Sequence, residues 1–208
     1  MTYINNVYIC LAAPVLIAML CVRSARKGHM VFLFGGMTAC YFSSYMTTWL
    51  AGVLKLDTLT ATIEIAPFVE ELVKFAPILL YLLVASPKKE GVTERVLMVS
   101  VGFATFENVC YLLTDGSGHI LHLLIRGFGT GAMHVVCGAI LSAGILWIWE
   151  YSWLHIVGTI GFIAVAITYH GIYNLLVSRT GTPAVVGYLI PLVTTILVIT
   201  MRAVRRRR

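Results

Sequence analysis

Residues 154–177 read L-H-I-V-G-T-I-G-F-I-A-V-A-I-T-Y-H-G-I-Y-N-L-L-V and contain no aspartate, glutamate, lysine or arginine. A helix of about 20 apolar residues crosses the hydrocarbon core of a bilayer, so this run predicts a transmembrane helix. Similar runs recur along the chain of 208 residues, which is 59% hydrophobic and 12% charged and has a mean hydropathy of +0.90. A soluble domain of this size cannot bury so much apolar surface. The composition therefore predicts an all-α, polytopic membrane helix bundle.

The apolar runs predict seven transmembrane helices, and no gap between them is long enough for a soluble domain. Residues 1–208 are accordingly expected to form a single integral membrane domain. The predicted spans are Val7 to Val22, Met30 to Leu54, Ala61 to Ala85, Val96 to Thr114, Gly127 to Trp149, Leu154 to Val177, and Pro183 to Met201.

The lysine and arginine residues predict the orientation of these spans. They concentrate after spans one, three and seven, at Arg23, Arg26, Lys27, Lys88, Lys89, Arg95, Arg202 and Arg205 to Arg208. The alternate loops hold only Lys55, Arg126 and Arg179. Because short cytoplasmic loops carry the excess of lysine and arginine, the N-terminus is expected outside and the C-terminus in the cytoplasm.

The net charge of +6 is accounted for by these loops, and no basic stripe interleaved with aromatic residues accompanies it. A nucleic-acid partner is therefore not expected. The basic tail, residues 205–208, is expected to contact anionic lipid headgroups at the cytoplasmic surface. Basic residues follow the first apolar run, which is the reverse of a cleavable signal peptide, so the first span is expected to be retained.

Six ionisable residues lie inside the predicted spans, and we refer to them as the polar set: Glu70, Glu71, Lys74, Glu107, His134 and His170. A charge at the bilayer centre costs about 2.5–3.5 kcal/mol on insertion scales, so such residues are paired or functional. At 1.5 Å per residue, the glutamates and histidines lie about 10 to 14 Å from the outer ends of four different spans. This shared depth predicts one site in the outer half of the bilayer.

The spacing within each helix predicts local partners. Glu70 and Lys74 are four residues apart, which favours an ion pair, while Glu71 is turned about 100° away. His170 and Asn174 are also four residues apart and are expected to project into one place. Glu107 is expected to hydrogen-bond a neighbouring helix or the tyrosine four residues later. His134 shares a face with glycines, which indicates a close helix contact.

Two chemistries require such a set. In hydrolysis, a glutamate and a histidine activate water while an amide stabilises the oxyanion. In proton- or ion-coupled transport, buried carboxylates load and release cations. The sequence contains no H-E-x-x-H, no G-x-S-x-G and no pair of transmembrane aspartates, which argues against the common zinc, serine and aspartyl intramembrane proteases.

Four ordered motifs resemble the PrsW family of intramembrane proteases, within the superfamily of CAAX prenyl endopeptidases and bacterial immunity proteins. They are P-F-V-E-E-L-V-K-F, G-F-A-T-F-E-N, His134 in a glycine-rich helix, and H-G-I-Y-N. A lysine stands where the prenyl proteases commonly have an arginine after the double glutamate. Glu107 stands in the motif that there supplies a histidine. Both departures fit the PrsW branch and make a prenylated substrate less expected.

The resemblance implies roles for these residues. Glu70 or Glu71 would activate water with His134 as its partner, and His170 with Asn174 would position the water and the oxyanion. Lys74 and Glu107 would support them. The substrate would be a single-span membrane protein such as an anti-sigma factor, in the cell membrane of a prokaryote. Zinc is a candidate cofactor, since two histidines and up to three glutamates, Glu70, Glu71 and Glu107, are suitable ligands. The alternative is hydrolysis by a glutamate without a metal, which the resemblance also allows.

Two non-protease alternatives remain open at this stage. The same superfamily resembles the seven-span scaffold subunit of γ-secretase, which cuts nothing itself, so a membrane scaffold is one of them. An ion-coupled transporter is the other, although the chain is short and has no evident inverted repeat. The double-glutamate and F-E motifs favour the hydrolase.

Overall fold

The computed structural model describes residues 29–85, 91–115, 120–148 and 151–205, and this part of the chain is all-α. Six long helices follow one another: α1 (His29–Leu54), α2 (Ala66–Ala85), α3 (Val92–Asp115), α4 (Ile120–Ile148), α5 (His155–Val177) and α6 (Thr182–Arg205). Short connections join them, which is typical of an up-and-down bundle.

Four of the described helices are long and apolar enough to cross a membrane: Val92–Leu113, Ile120–Ile148, His155–Val177 and Thr182–Thr200. The chain is thus an integral membrane protein, but the prediction of seven spans is wrong. Helix α2 carries three charges within 20 residues, and the middle of α1 is rich in serine and threonine. The predicted first span, Val7 to Val22, lies outside the described residues, as do Lys88, Lys89 and the side chains of the basic tail.

Two helix boundaries differ from the sequence prediction. Helix α4 begins at Ile120, two turns before the predicted Gly127. Arg126 therefore lies within a helix and does not belong to a loop. Helix α3 begins at Val92 instead of Val96, so that Arg95 is also helical. Boundaries are hard to predict here because Arg95 and Arg126, which suggest loops, are partly covered by neighbouring helices.

The chain enters α2 through an irregular segment. The Asp57 carboxylate accepts hydrogen bonds from the amide and hydroxyl of Thr60, which hold the pKa of Asp57 below its usual value, and this caps the turn Thr58–Thr60. A π-helical segment, Ala61–Ile65, follows and leads directly into α2. Such wider turns are frequently found at functional sites.

Helix α4 is the centre of the bundle, and 72% of the residues in its apolar 18-residue stretch are buried. On one side it packs against α3 and on the other against α5 and α6. The closest helix contact joins α1 and α3. A Cβ added at Gly36 would lie 1.9 Å from the backbone carbonyl oxygen of Val99, and a Cβ added at Gly102 would lie 1.9 Å from that of Leu33. Only glycine permits this separation.

Candidate active site

The polar set meets where α2, α3, α4 and α5 come together. Glu71, Lys74, His134 and His170 are buried, and the exposed fractions of the Glu70 and Glu107 side chains are 17% and 27%. The His134 and His170 rings meet edge to face with their centroids 5.1 Å apart. The structure thus brings together all six residues of the polar set, including the five that the sequence placed at one depth.

Lys74 neutralises Glu71. Its Nζ donates to Glu71 Oε1 at 2.5 Å, one turn away on the same helix, and lies 4.7 Å from the centre of the Phe103 ring. The predicted pair between Glu70 and Lys74 is wrong. Neighbours three and four residues apart are both within reach on a helix, and the side chains on α4 and α5 select Glu71 by burying it beside Lys74.

The contacts of His134 determine its tautomer. Lys74 Nζ lies 2.8 Å from His134 Nδ1, and since an ammonium group can only donate, Nδ1 accepts this hydrogen bond. The ring proton is then on Nε2, which donates to Glu107 Oε2 at 2.5 Å. Glu107 therefore contacts a neighbouring helix, one of the two partners expected for it.

His170 is oriented in the complementary way. Its Nδ1 lies 2.8 Å from Glu71 Oε1, and since a carboxylate can only accept, Nδ1 carries the proton. In the neutral ring, Nε2 then has a free lone pair that faces Glu70 Oε2 at 3.7 Å. This oxygen is buried and has no hydrogen-bond partner among the described residues. Two acceptors thus face each other with no donor between them.

Arg126 extends the network beyond the predicted set. Its guanidinium donates to Asn108 Oδ1 at 2.5 Å, lies 3.4 Å from Glu107 Oε1, and stacks 3.6 Å from the centre of the Tyr111 ring. The sequence predicted a loop at Arg126. Its position directly before the predicted start of a span, Gly127, gave no separate signal, but an arginine about two turns before His134 is a candidate partner for the carboxylates of the polar set.

Asn174 lies apart from the polar set. Its side-chain Nδ2 donates to the backbone carbonyl oxygen of Thr62 at 2.9 Å, in the π-helical segment that precedes α2. The wider turn frees carbonyl groups, and this amide satisfies one of them. In this arrangement Asn174 ties α5 to the start of α2, so the predicted contribution to an oxyanion site would require this hydrogen bond to break.

A family model described as PrsW family intramembrane metalloprotease matches residues 23–201, nearly the whole chain. The chain belongs to the PrsW family. The hydrolase predicted from the sequence is thereby confirmed as an intramembrane metalloprotease. No curated protein and no solved structure matches the chain.

The PrsW family assignment implies a metal ion. Glu70 and His170 fit one, whereas the Nδ1 of His134 accepts a hydrogen bond from Lys74 Nζ and would have to be released before it could bind a metal. One ligand atom each from Glu70, His134 and His170 lie within 4.8 Å of one another. The unpartnered Glu70 Oε2 and the free Nε2 of His170 supply two of these donors with their lone pairs available. Two histidines and a glutamate are a common donor set of catalytic zinc, with an open position for water.

The charge balance around this PrsW site also favours a cation. Three carboxylates, on Glu70, Glu71 and Glu107, face one ammonium and one guanidinium group, on Lys74 and Arg126. Because Glu71 is held by Lys74 and Glu107 by Arg126, Glu70 is the carboxyl group with no fixed counter-charge, and it can take up either a proton or a cation.

Proposed function

We propose that this protein is an intramembrane endopeptidase that cuts a single-span membrane protein with water activated beside Glu70. The observation that supports this choice is the gap of 3.7 Å between Glu70 Oε2 and His170 Nε2, two buried acceptors with no donor between them. A water molecule at about 2.8 Å from each could donate one proton to either group. When these two lone pairs hold a metal ion, the second carboxylate oxygen of Glu70 would take the proton of the water as its oxygen attacks the peptide carbonyl.

We assign the other members of the polar set to positioning. Glu71 accepts from His170 Nδ1 and keeps the Nε2 lone pair aimed at Glu70. Glu107 accepts a hydrogen bond from His134 Nε2 and so orients the His134 ring in the same way. Carboxylates that orient histidines in this way are common around metal sites and fix the tautomer of the ring. Lys74 supplies the positive charge that permits Glu71 to remain ionised in this buried place.

Glu70 and His170 would hold the metal ion, which we expect to be zinc, and His134 would join them through Nδ1 once Lys74 Nζ releases that nitrogen. When bound, the ion would act as a Lewis acid that polarises water and the scissile carbonyl. Glu71 and Glu107 would stay outside the ligand set as the groups that orient the two histidines. The substrate would be a membrane-embedded protein such as an anti-sigma factor.

We further propose that the cluster lies toward the outer face of a prokaryotic cell membrane, because Lys88 and Lys89 before α3 and the basic tail after α6 favour the cytoplasmic side for those ends of the helices. A cysteine reporter at Val177, in a background freed of native cysteines, should then react with an impermeant thiol reagent added from outside. A reporter at Lys88 should react only after the membrane is opened. The reverse pattern would place the cluster near the cytoplasmic face.

The test of the proposed function is a cleavage assay on the protein purified in detergent, with metal content measured on the same sample. Candidate single-span substrates should be cut, chelator should abolish cutting, and added zinc should restore it. Glu70→Gln should bind less metal and turn over at least about a hundredfold more slowly. Full turnover by Glu70→Gln would refute the role assigned to this residue, and full turnover of metal-free protein would refute the metal.

The scaffold alternative makes a different prediction for the histidines. In a hydrolase, His134→Ala and His170→Ala should lose turnover by about a hundredfold while substrate still co-purifies. In a scaffold, the same changes would dissociate a complex without a catalytic defect to measure.

A further inference from the structure

Lys74 carries a buried positive charge in the middle of the polar set. Its Nζ donates to Glu71 Oε1 at 2.5 Å and to His134 Nδ1 at 2.8 Å. His170 Nδ1 donates to the same oxygen of Glu71, so a single acceptor atom separates the ammonium group from His170. Glu70, His134 and His170 each offer a ligand atom within 4.8 Å of the other two. The Lys74 charge therefore borders the place where the proposed hydrolysis occurs.

The two hydrogen bonds of Lys74 differ in how easily they can be exchanged. Glu71 is a carboxylate and holds the ammonium group in a buried ion pair, whereas His134 Nδ1 is a neutral acceptor. In a medium of low dielectric constant, an ammonium group is attracted far more strongly to an anion than to a neutral acceptor. An oxyanion that forms beside His134 would therefore take the Lys74 proton that His134 now accepts.

We propose that Lys74 is a catalytic residue whose ammonium group donates a hydrogen bond to the oxyanion of the tetrahedral intermediate. This inference rests on the proposed endopeptidase function. As the water oxygen bonds to the carbonyl carbon, Glu70 takes one proton of the water, and the carbonyl oxygen gains the negative charge that Lys74 binds. When the carbon–nitrogen bond breaks, the carbonyl group forms again and the leaving amine takes the proton from Glu70. Lys74 remains protonated throughout.

The other cationic and amide donors described near the polar set have fixed partners. The amide of Asn174 donates to a backbone carbonyl oxygen of the π-helical segment. The guanidinium group of Arg126 is held by Asn108 and Glu107. Lys74 instead spends one proton on a neutral acceptor, and a hydrogen bond that strengthens only when charge develops on the substrate lowers the barrier of the reaction.

The test separates catalysis from charge neutralisation by using a Glu71→Gln background, in which Lys74 has lost its carboxylate partner. In that background Lys74→Met removes a buried charge that has no counter-charge, so it should raise Tm. A residue that only neutralised Glu71 would then recover turnover together with stability. We expect kcat to fall further instead, by about a hundredfold with little change in KM, because an oxyanion donor is lost.

The assay is cleavage, in detergent, of a synthetic single-span peptide that the native full-length protein cuts. Zinc is added to saturation and the metal content of each variant is measured, so that a difference in metal affinity does not enter kcat. Lys55→Met in the same background is the matched control, because Lys55 is exposed and lies between helices. It should leave kcat unchanged.

Binding of two uncleavable peptides provides a measurement that needs no turnover. One carries a phosphinate group in place of the cut amide, and its charged tetrahedral centre resembles the intermediate. The other carries a neutral alkene. In the Glu71→Gln background, Lys74→Met should weaken the binding of the phosphinate at least about tenfold and leave the binding of the alkene unchanged. This measurement decides if turnover by Glu71→Gln alone is too slow to follow.

Recovery of kcat together with Tm in the double variant would overturn the proposal, and so would an unchanged affinity for the phosphinate. Both results leave the endopeptidase standing, because the native protein still cuts the peptide. The proposed function fails in a different way. If the native protein cuts no single-span peptide and binds the phosphinate no better than the alkene, the endopeptidase is refuted, and the role of Lys74 is refuted with it.

Discussion

Glu70 and Glu71 are adjacent in the sequence, yet the structure predicts opposite consequences for the same substitution at each. The Glu71 side chain is 7% exposed and pairs with Lys74, which is 4% exposed. Glutamine at position 71 keeps the shape and can still accept a hydrogen bond, but it leaves the Lys74 ammonium buried without a counter-charge. Removing one partner of a buried ion pair costs about 3–5 kcal/mol.

This loss of stability can be expressed as a decrease in the melting temperature, Tm. For a chain of 150–250 residues, 1 kcal/mol shifts Tm by roughly 2–4 °C, so Glu71→Gln should lower Tm by roughly 6–20 °C. Glu70 has an oxygen with no hydrogen-bond partner among the described residues, and its side chain is 17% exposed. Glu70→Gln leaves no buried charge without a partner, so it should not lower the Tm of the metal-free protein, while it removes metal binding and turnover.

The assay is thermal unfolding of the metal-free proteins in detergent, followed by tryptophan fluorescence, with metal affinity measured separately. A second change provides the control. In the Glu71→Gln background, Lys74→Met removes the unpaired ammonium and should recover at least about half of the lost stability, because an apolar side chain of similar length costs little in its place. Equal destabilisation by the two glutamine variants, or no recovery with Lys74→Met, would refute the assignment of Glu71 as the paired carboxylate.

Two further predictions test the packing and the outer end of the network. Gly36→Ala should lower Tm, at a cost of at least about 1–3 kcal/mol, because the added Cβ would lie 1.9 Å from the carbonyl oxygen of Val99. Gly161→Ala is the control and should leave Tm unchanged, since no atom lies within 4 Å of its added Cβ; equal Tm values for the two variants would contradict the close contact. Arg126→Gln should lower kcat about 10- to 100-fold with little change in KM, because Glu107 loses the guanidinium that holds it, and Arg126→Lys should recover part of kcat; an unchanged kcat would exclude a positioning role.

The meeting of the polar set could be predicted from the sequence, because the rise per residue in a helix is fixed. Glu107 and His170 lie eight and seven residues from the ends of α3 and α5, close to the predicted distances, whereas His134 lies 14 residues from the start of α4, because that helix begins two turns earlier than predicted. The lateral partners could not be predicted in this way. Lys74 is one turn from both Glu70 and Glu71, and the choice between them depends on His134 and on burial by other helices.

Two local features of the structure could not be predicted from the sequence. The π-helical segment Ala61–Ile65 adds a wider turn before α2, and no residue pattern in A-T-I-E-I distinguishes it from an ordinary helical start. The amide of Asn174 binds the Thr62 carbonyl oxygen in this segment. From the spacing alone, Asn174 was expected beside His170. Residues four apart share a face of a helix, but a free backbone acceptor on the neighbouring segment determines where the amide points.

The arrangement of charges explains why one carboxylate differs from the other two. Lys74 compensates Glu71 and Arg126 compensates Glu107, and each compensated carboxylate orients one histidine. A charge without a counter-ion is costly at membrane depth. The presence of a third carboxylate, Glu70, without a fixed counter-ion therefore favours a role in which Glu70 binds a cation or accepts a proton. A metal ion supplies the first, and a water molecule that is deprotonated during hydrolysis supplies the second. The cost of keeping Glu70 uncompensated is therefore greatest in the metal-free protein, and metal binding should raise Tm more in the native protein than in Glu70→Gln.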